Sequence, residues 1–306
     1  MATAEPLGST VEPQALSPSA RTAAISWTGG KDCNLALLHA WRDPSLRVTA
    51  LVVFRPENAA FRAHPLWLAE AQAESLNLPL RHVIISSDAA SYKEAYVAGI
   101  RKLRAEHGIE TIVTGDMDLV GSMARNWIEE CGEEAGVEAG LPLWQADRAT
   151  CLRQLIAERF VVIFSCVKSP WFDASWIGRR LDAATLEAME AMAAAAPEEG
   201  VKPLDLGGER GECMLLPPSP DLADLANPHT TLASNASPSL PDARSMARAD
   251  HTMCLGGPLY AQTVQPLEIG EPLELTKQPG QRDGERWWTL GLPTPSPTPQ
   301  GKIGGI

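Results

Sequence analysis

From Ala23 onward, short apolar runs alternate with amphipathic stretches. The runs Ala23–Trp27, Val48–Phe54, Arg81–Ser86, Thr111–Thr114 and Phe160–Val167 are nearly continuous in hydrophobicity and bounded by turn residues. Strands buried on both faces have this pattern. Between them, Lys31–Trp41, Pro65–Leu76, Ser91–His107, Gly121–Ala135 and Asp147–Glu158 predict helices. Asp88 or Ser91 can cap the third, Pro65 suits a first helical position, and Gly108 sits where a C-terminal stop belongs. Strands alternating with helices imply right-handed crossovers and an α/β fold with a doubly wound, parallel, five-stranded sheet. Ligands of such sheets bind beyond the carboxyl ends of the strands.

After Val167 the rhythm changes. Trp171 to Gly178 is aromatic and loop-like, and Ala183–Ala196 predicts an Ala/Met/Glu-rich helix. From Cys213 to Asp250 there are six prolines, five serines and no Val, Ile, Gly or aromatic residue. Such a segment buries too little apolar surface to offset chain entropy, so a disordered excursion is expected there. Patterning resumes at His251-Thr252-Met253, with strand-like stretches at Pro258–Ile269 and Arg286–Leu290. The expected organisation is a disordered leader (1–22), a nucleotide-binding domain (23–167), a smaller α+β lobe (168–290) carrying the insertion 213–250, and a flexible tail (291–306).

The formal net charge of −12 argues against a face that tracks a nucleic-acid backbone. Six cysteines (33, 131, 151, 166, 213 and 254) lack any CxxC or metal-like spacing, which suggests reduced thiols in an intracellular protein. Residues 1–22 have no basic start and no apolar core of a signal peptide. No apolar stretch approaches the ~20 residues that span a bilayer. A soluble, cytoplasmic protein with no membrane or nucleic-acid partner is the expectation.

The chemistry begins at Ser26-Trp27-Thr28-Gly29-Gly30-Lys31-Asp32-Cys33, between the first predicted strand and helix. Glycines let backbone N–H groups approach an anion, the helix N-terminus adds partial positive charge, and Lys31 adds a full one. The stretch is not a GxxxxGK[ST] loop, because no glycine lies five positions before Gly30 and Asp32 stands where Ser or Thr should. It resembles the SGGxDS signature of the PP-loop ATP pyrophosphatases, which cleave ATP between its α and β phosphates.

Other residues take meaning from their place. Asp116, in Thr114-Gly115-Asp116 at a strand end, suits Mg²⁺ or the ribose-phosphate region, and equally a helix cap or turn. His64, before Pro65, can line an adenine pocket or contact phosphate, or be a plain surface histidine. Arg125 can reach polyphosphate with its planar fork, or lie exposed on its helix. Glu209 and Glu212 in a glycine-rich turn, with His251-Thr252 beyond, can position an amine or a metal and move protons, or form an ordinary surface turn.

Taken together, these pieces resemble the diphthine–ammonia ligase family of PP-loop ATPases, a match running from about Ala23 to Leu259 apart from the excursion. The matching pieces are the Ser26–Asp32 loop, the loop ending at His64, and Ala73-Glu74-Ser75-Leu76-Asn77-Leu78-Pro79-Leu80. Gly115-Asp116, Arg125-Asn126-Trp127-Ile128-Glu129, Leu141-Pro142-Leu143-Trp144 and Gly208-Glu209-Arg210-Gly211-Glu212 complete the set. The resemblance implies a sheet of the HUP/PP-loop type. It also implies that a carboxylate on a modified histidine of translation elongation factor 2, diphthine, is activated as an acyl-adenylate. Ammonia then displaces AMP to give diphthamide, with ATP and Mg²⁺ required. Carried onto this chain, Lys31, Asp116, Glu209, Glu212 and His251 would be catalytic. Ser26, Thr28, Gly29, Gly30, Lys31, Asp32, Cys33, His64, Gly115 and Arg125 would hold the nucleotide, and Asp116 the metal. Many eukaryotic relatives resemble fusions with Rid-like domains, and here any such partner would be a separate protein.

Two departures stand out. Cys33 closes the loop, and a thiol is a weaker phosphate donor than a hydroxyl. In the family, GE-x-GE runs through an aromatic residue into HT, whereas here Cys213–Asp250 separates Glu212 from His251, as either a lineage insertion or a retained intron. The rival readings are another, tRNA-modifying PP-loop pyrophosphatase and a nucleotide-binding protein without turnover.

Overall fold

The computed structural model describes residues 13–56, 65–85, 91–119, 123–195, 203–207, 251–264, 270–275 and 286–291. Five parallel strands form the first sheet: β1 (Arg21–Ser26), β2 (Leu46–Pro56), β3 (Leu80–Ile85), β4 (Thr111–Val113) and β5 (Glu138–Gly140), in the order β3-β2-β1-β4-β5. Helices α1 (Lys31–Arg42) and α2 (Leu66–Leu76) cover one face. Helices α3 (Tyr92–His107) and α4 (Trp127–Ala135) cover the other. Two apolar cores result, one on each face, which is the expected doubly wound α/β architecture.

The local chemistry sets the element ends. Ser91 caps α3 by accepting from Glu94 N, and Gly108 ends it at φ 66°. Asp147 caps α5 (Arg148–Ala157) by accepting from Thr150 N. Asn126 accepts from the Ile128 and Glu129 amides and so starts α4. The chain order reverses between β1, which leads left to β2 and β3, and β4, which opens the right half. At that switch point the glycine loop and Gly115-Asp116 emerge from the carboxyl ends of β1 and β4, the edge at which ligands of such sheets bind.

A second sheet is antiparallel, built from β6 (Val161–Lys168), β7 (His251–Gly256), β8 (Gly270–Glu274) and β9 (Trp287–Gly291) in the order β7-β6-β9-β8. A single 3-10 turn (Ala174–Trp176) and α6 (Ala183–Ala194) follow β6. The stretch expected as the fifth parallel strand therefore belongs to the second sheet, and Glu138–Gly140 takes its place. Val161–Lys168 is buried almost throughout, and burial does not tell which strand lies alongside. Residues 258–264 also depart from the strand expected over Pro258–Ile269. They turn instead, with Tyr260 N donating to Gly257 O and Val264 N to Leu255 O.

The second sheet packs on the α1–α2–α5 face. Leu35, Leu38, Leu68, Leu152, Phe164, Met253 and Cys254 share one continuous core. Cys33, Cys131, Cys151 and Cys254 are free and buried, while Cys166 is disulfide-bonded, contrary to the expectation of thiols throughout. Spacing along the chain does not report which sulfurs a fold brings within bonding distance. No helix among the described residues is long and apolar enough to cross a membrane.

Candidate functional site

The loop after β1 is built by its glycines and closed by the second lobe. Gly29 adopts φ 84°, which side chains disfavour. Gly30 is the residue before α1, so the loop runs directly into a helix N-terminus. Opposite, Gly115 lies so close to the first turn of α1 that a Cβ there would sit 2.5 Å from Asp32 C and 2.6 Å from Cys33 N. The two carboxyl-end loops thus touch backbone to backbone.

Lys31 is 4% exposed, and both its amide and its ammonium face the second lobe. Its backbone N–H donates to Thr252 Oγ1 at 3.3 Å. Its Nζ donates to the Gly207 carbonyl at 2.8 Å and lies 3.1 Å from Asp32 Oδ2. Gly207 is fixed in turn by Asp205, whose Oδ1 accepts its N–H at 2.8 Å. Arg148 lies 3.9 Å from that same carboxylate and 3.5 Å from Asp118 on its other side. A buried ammonium is tolerable only with such partners. Asp205 and Arg148 were not foreseen from sequence, and neither stands in a pattern that singles it out.

Asp116 is half-buried beside Gly115, and Asn126 Nδ2 donates to its Oδ2 at 2.8 Å. The residue that caps α4 therefore also orients this carboxylate. Around it on the α3–α4 face, Phe54 stacks on Tyr96 at 4.2 Å, and Tyr92 and Trp127 pack against Tyr96. Burial pushes the Tyr96 phenol well above its usual range, with the negative charges of Tyr92 and Asp116 adding to it.

Ser26 ends β1, and exposed Thr28 donates from Oγ1 to Cys33 Sγ at 3.6 Å. Cys33 is buried, and its Sγ donates to Gly30 O at 3.2 Å. Burial raises its thiol pKa, so it holds the loop as a neutral group. Arg125 is half exposed, and its guanidinium is occupied by Glu133 at 2.7 Å, with Glu129 at 3.9 Å. His64, Glu209 and Glu212 lie outside the described residues, as do the insertion 213–250 and the tail 292–306. His251 contributes its backbone to β7 opposite Cys166.

A glycine cradle, a helix N-terminus and a buried lysine fit a polyphosphate. One oriented carboxylate fits a Mg²⁺ ion that shares phosphate oxygens. Among the described residues no group of three or more His, Cys, Asp or Glu side chains is placed to hold a metal.

Residues 20–139 match the family model described as diphthamide synthase N-terminal domain. No curated protein matches the chain. Among solved structures, one described as a predicted subunit of tRNA methyltransferase from Methanocaldococcus jannaschii DSM is 18% identical. The alignment covers 46% of this chain and 77% of that one, with a TM-score of 0.29, a likeness too loose to argue from.

Proposed function

We propose, from the match of residues 20–139 to the family model described as diphthamide synthase N-terminal domain, that the protein is an ATP-dependent ligase converting diphthine on translation elongation factor 2 to diphthamide with ammonia. One observation carries the reading furthest. Lys31 in the phosphate loop is held by Gly207 and by Thr252. These residues flank, in sequence, the glycine–glutamate turn and the histidine that resemble the family's second motif. The described chain on either side of the insertion thus converges on the residue expected to meet phosphate.

The chemistry follows from these groups. A carboxylate is a poor electrophile until an oxygen of it attacks the α phosphorus of ATP. The bond from that phosphorus to the bridging oxygen then breaks and pyrophosphate departs. Backbone N–H groups of the glycine loop and the Lys31 ammonium would receive the charge that builds on the leaving pyrophosphate. Mg²⁺ held by Asp116 and the phosphates would supply further neutralisation. Ammonia then attacks the acyl carbon, sheds a proton, and releases AMP. Glu209, Glu212 and His251 are proposed to orient the amine and accept that proton. The tight enclosure of Lys31 suits this chemistry, because charge stabilisation is worth more where water is excluded.

The test is ATP–pyrophosphate exchange with the purified protein and elongation factor 2 bearing diphthine. Exchange that depends on the acceptor, followed by amide formation seen by mass spectrometry when ammonium is added, is expected. Exchange that ignores the acceptor, or none at all, refutes the ligase reading.

A further inference from the structure

Gln72 on α2 is completely buried, which is unusual for an amide side chain, and its hydrogen bonds explain its place. Its Oε1 accepts from Trp27 Nε1 at 2.9 Å. Its Nε2 donates to Gly29 O at 2.9 Å and to Cys254 O at 2.6 Å. The amide orientation is unambiguous, because an indole N–H only donates and carbonyls only accept. Gly29 O takes a second bond from Cys254 N at 3.1 Å, so α2 and β7 grip the same carbonyl.

That grip has a consequence for the neighbouring amide. In a trans peptide the C=O and the following N–H point in opposite directions. With Gly29 O drawn inward by Gln72 and Cys254, the Gly30 N–H must project to the other side of the peptide plane, away from both. The next carbonyl is also committed inward, since Asn34 Nδ2 donates to Gly30 O at 2.8 Å. Asn34 Oδ1 is held in turn by Tyr260 Oη at 2.7 Å. Rotating the Gly29–Gly30 peptide would turn a carbonyl toward an incoming anion and leave a Gln72 N–H and the Cys254 N–H buried without that acceptor.

We infer that Gln72 is a positioning residue: with the β7 backbone it sets the Gly29–Gly30 peptide so that the Gly30 N–H faces a nucleotide phosphate. The inference rests on the phosphate-binding reading of the loop. It adds that the site is complete only when β7 of the second lobe is docked, because half of the clamp comes from Cys254.

The experiment compares the wild-type full chain with Gln72→Met, which keeps length and apolar packing but neither donates to nor accepts from these partners as the amide does. Binding of ATP and of adenosine is measured by calorimetry alongside the melting temperature. The expected result is ATP binding weakened about tenfold or more, with adenosine binding unchanged. A folded Gln72→Met that binds ATP as tightly as wild type overturns the clamp, as does an equal loss for ATP and adenosine. If the wild type itself binds no nucleotide, the proposed function falls and takes this inference with it. If Gln72→Met does not fold, the Gly30 amide resonance of ¹⁵N-glycine-labelled wild type decides on addition of inorganic pyrophosphate. A shift at Gly30 supports the assignment, and its absence overturns it.

Discussion

Replacing Gly115 with alanine is the sharpest perturbation of the contact between the loops that follow β1 and β4. The added Cβ would sit 2.5 Å from Asp32 C, 2.6 Å from Cys33 N and 2.8 Å from Asp32 O. Ordinary van der Waals contact begins near 3.4 Å, so the shortest approach falls short by about 0.9 Å. Every atom it meets is backbone in the first turn of α1, so no side chain can swing aside. Relief requires the β4 loop and the helix N-terminus to separate, and overpacking of this kind costs about 1–3 kcal/mol. The functional loss should exceed the stability loss, because a displacement of about 1 Å between reacting groups can lower a rate about a hundredfold. Urea unfolding measures the first quantity and ATP–pyrophosphate exchange the second. Gly108→Ala is the control. A Cβ there meets nothing within 4 Å, and only its φ of 66° resists, for about 1 kcal/mol and no effect on exchange. Full exchange activity with unaltered stability in Gly115→Ala would refute the close-packing argument.

Three further outcomes are expected. Lys31→Ala should weaken ATP binding by roughly 1.5–3 kcal/mol, read by calorimetry, since it removes a charge-assisted phosphate contact; unchanged affinity would remove the phosphate-loop reading. Asp116→Asn should fold normally, because the new side chain can still accept from Asn126, yet lose Mg²⁺-dependent pyrophosphate release; activity with an unaltered Mg²⁺ titration would reduce Asp116 to a turn residue. Burial raises the Cys254 thiol to about 12 from 9.0, so the folded state keeps a proton that the unfolded state releases. Its contribution is therefore fully present below pH 9 and is lost as pH rises toward 12, by about 1.4 kcal/mol per unit. Cys254→Ala should flatten the fall in unfolding free energy above pH 9, and a slope unchanged by the substitution would contradict this linkage.

Local chemistry was legible in the residues. The glycine loop stood out because strand, glycine pair, lysine and helix start are consecutive, and the roles of Ser91 and Gly108 at the ends of α3 depend only on neighbours within four positions. Strand existence was equally plain wherever Val and Ile ran together. Glu138–Gly140 escaped notice because three residues with little strand propensity become a strand only through pairing with β4.

What the sequence determined by itself, then, was which segments are buried and where a glycine turn runs from a strand into a helix N-terminus, since both follow from side-chain type and short-range order. Partnership was decided only by tertiary structure. Val161–Lys168 is apolar enough for either sheet, and its antiparallel neighbours β7 and β9 lie more than eighty residues downstream. Gln72 reads along the chain as one more polar helix position, but the fold buries it completely between Trp27, Gly29 and Cys254. Arg125 looks available for phosphate in the sequence, while the structure pairs it with Glu133 one helix length away. The physical reason is common to all three. Hydrophobicity reports the free energy of leaving water, whereas a hydrogen bond or an ion pair needs a partner at a particular distance and angle, and only the folded chain supplies one.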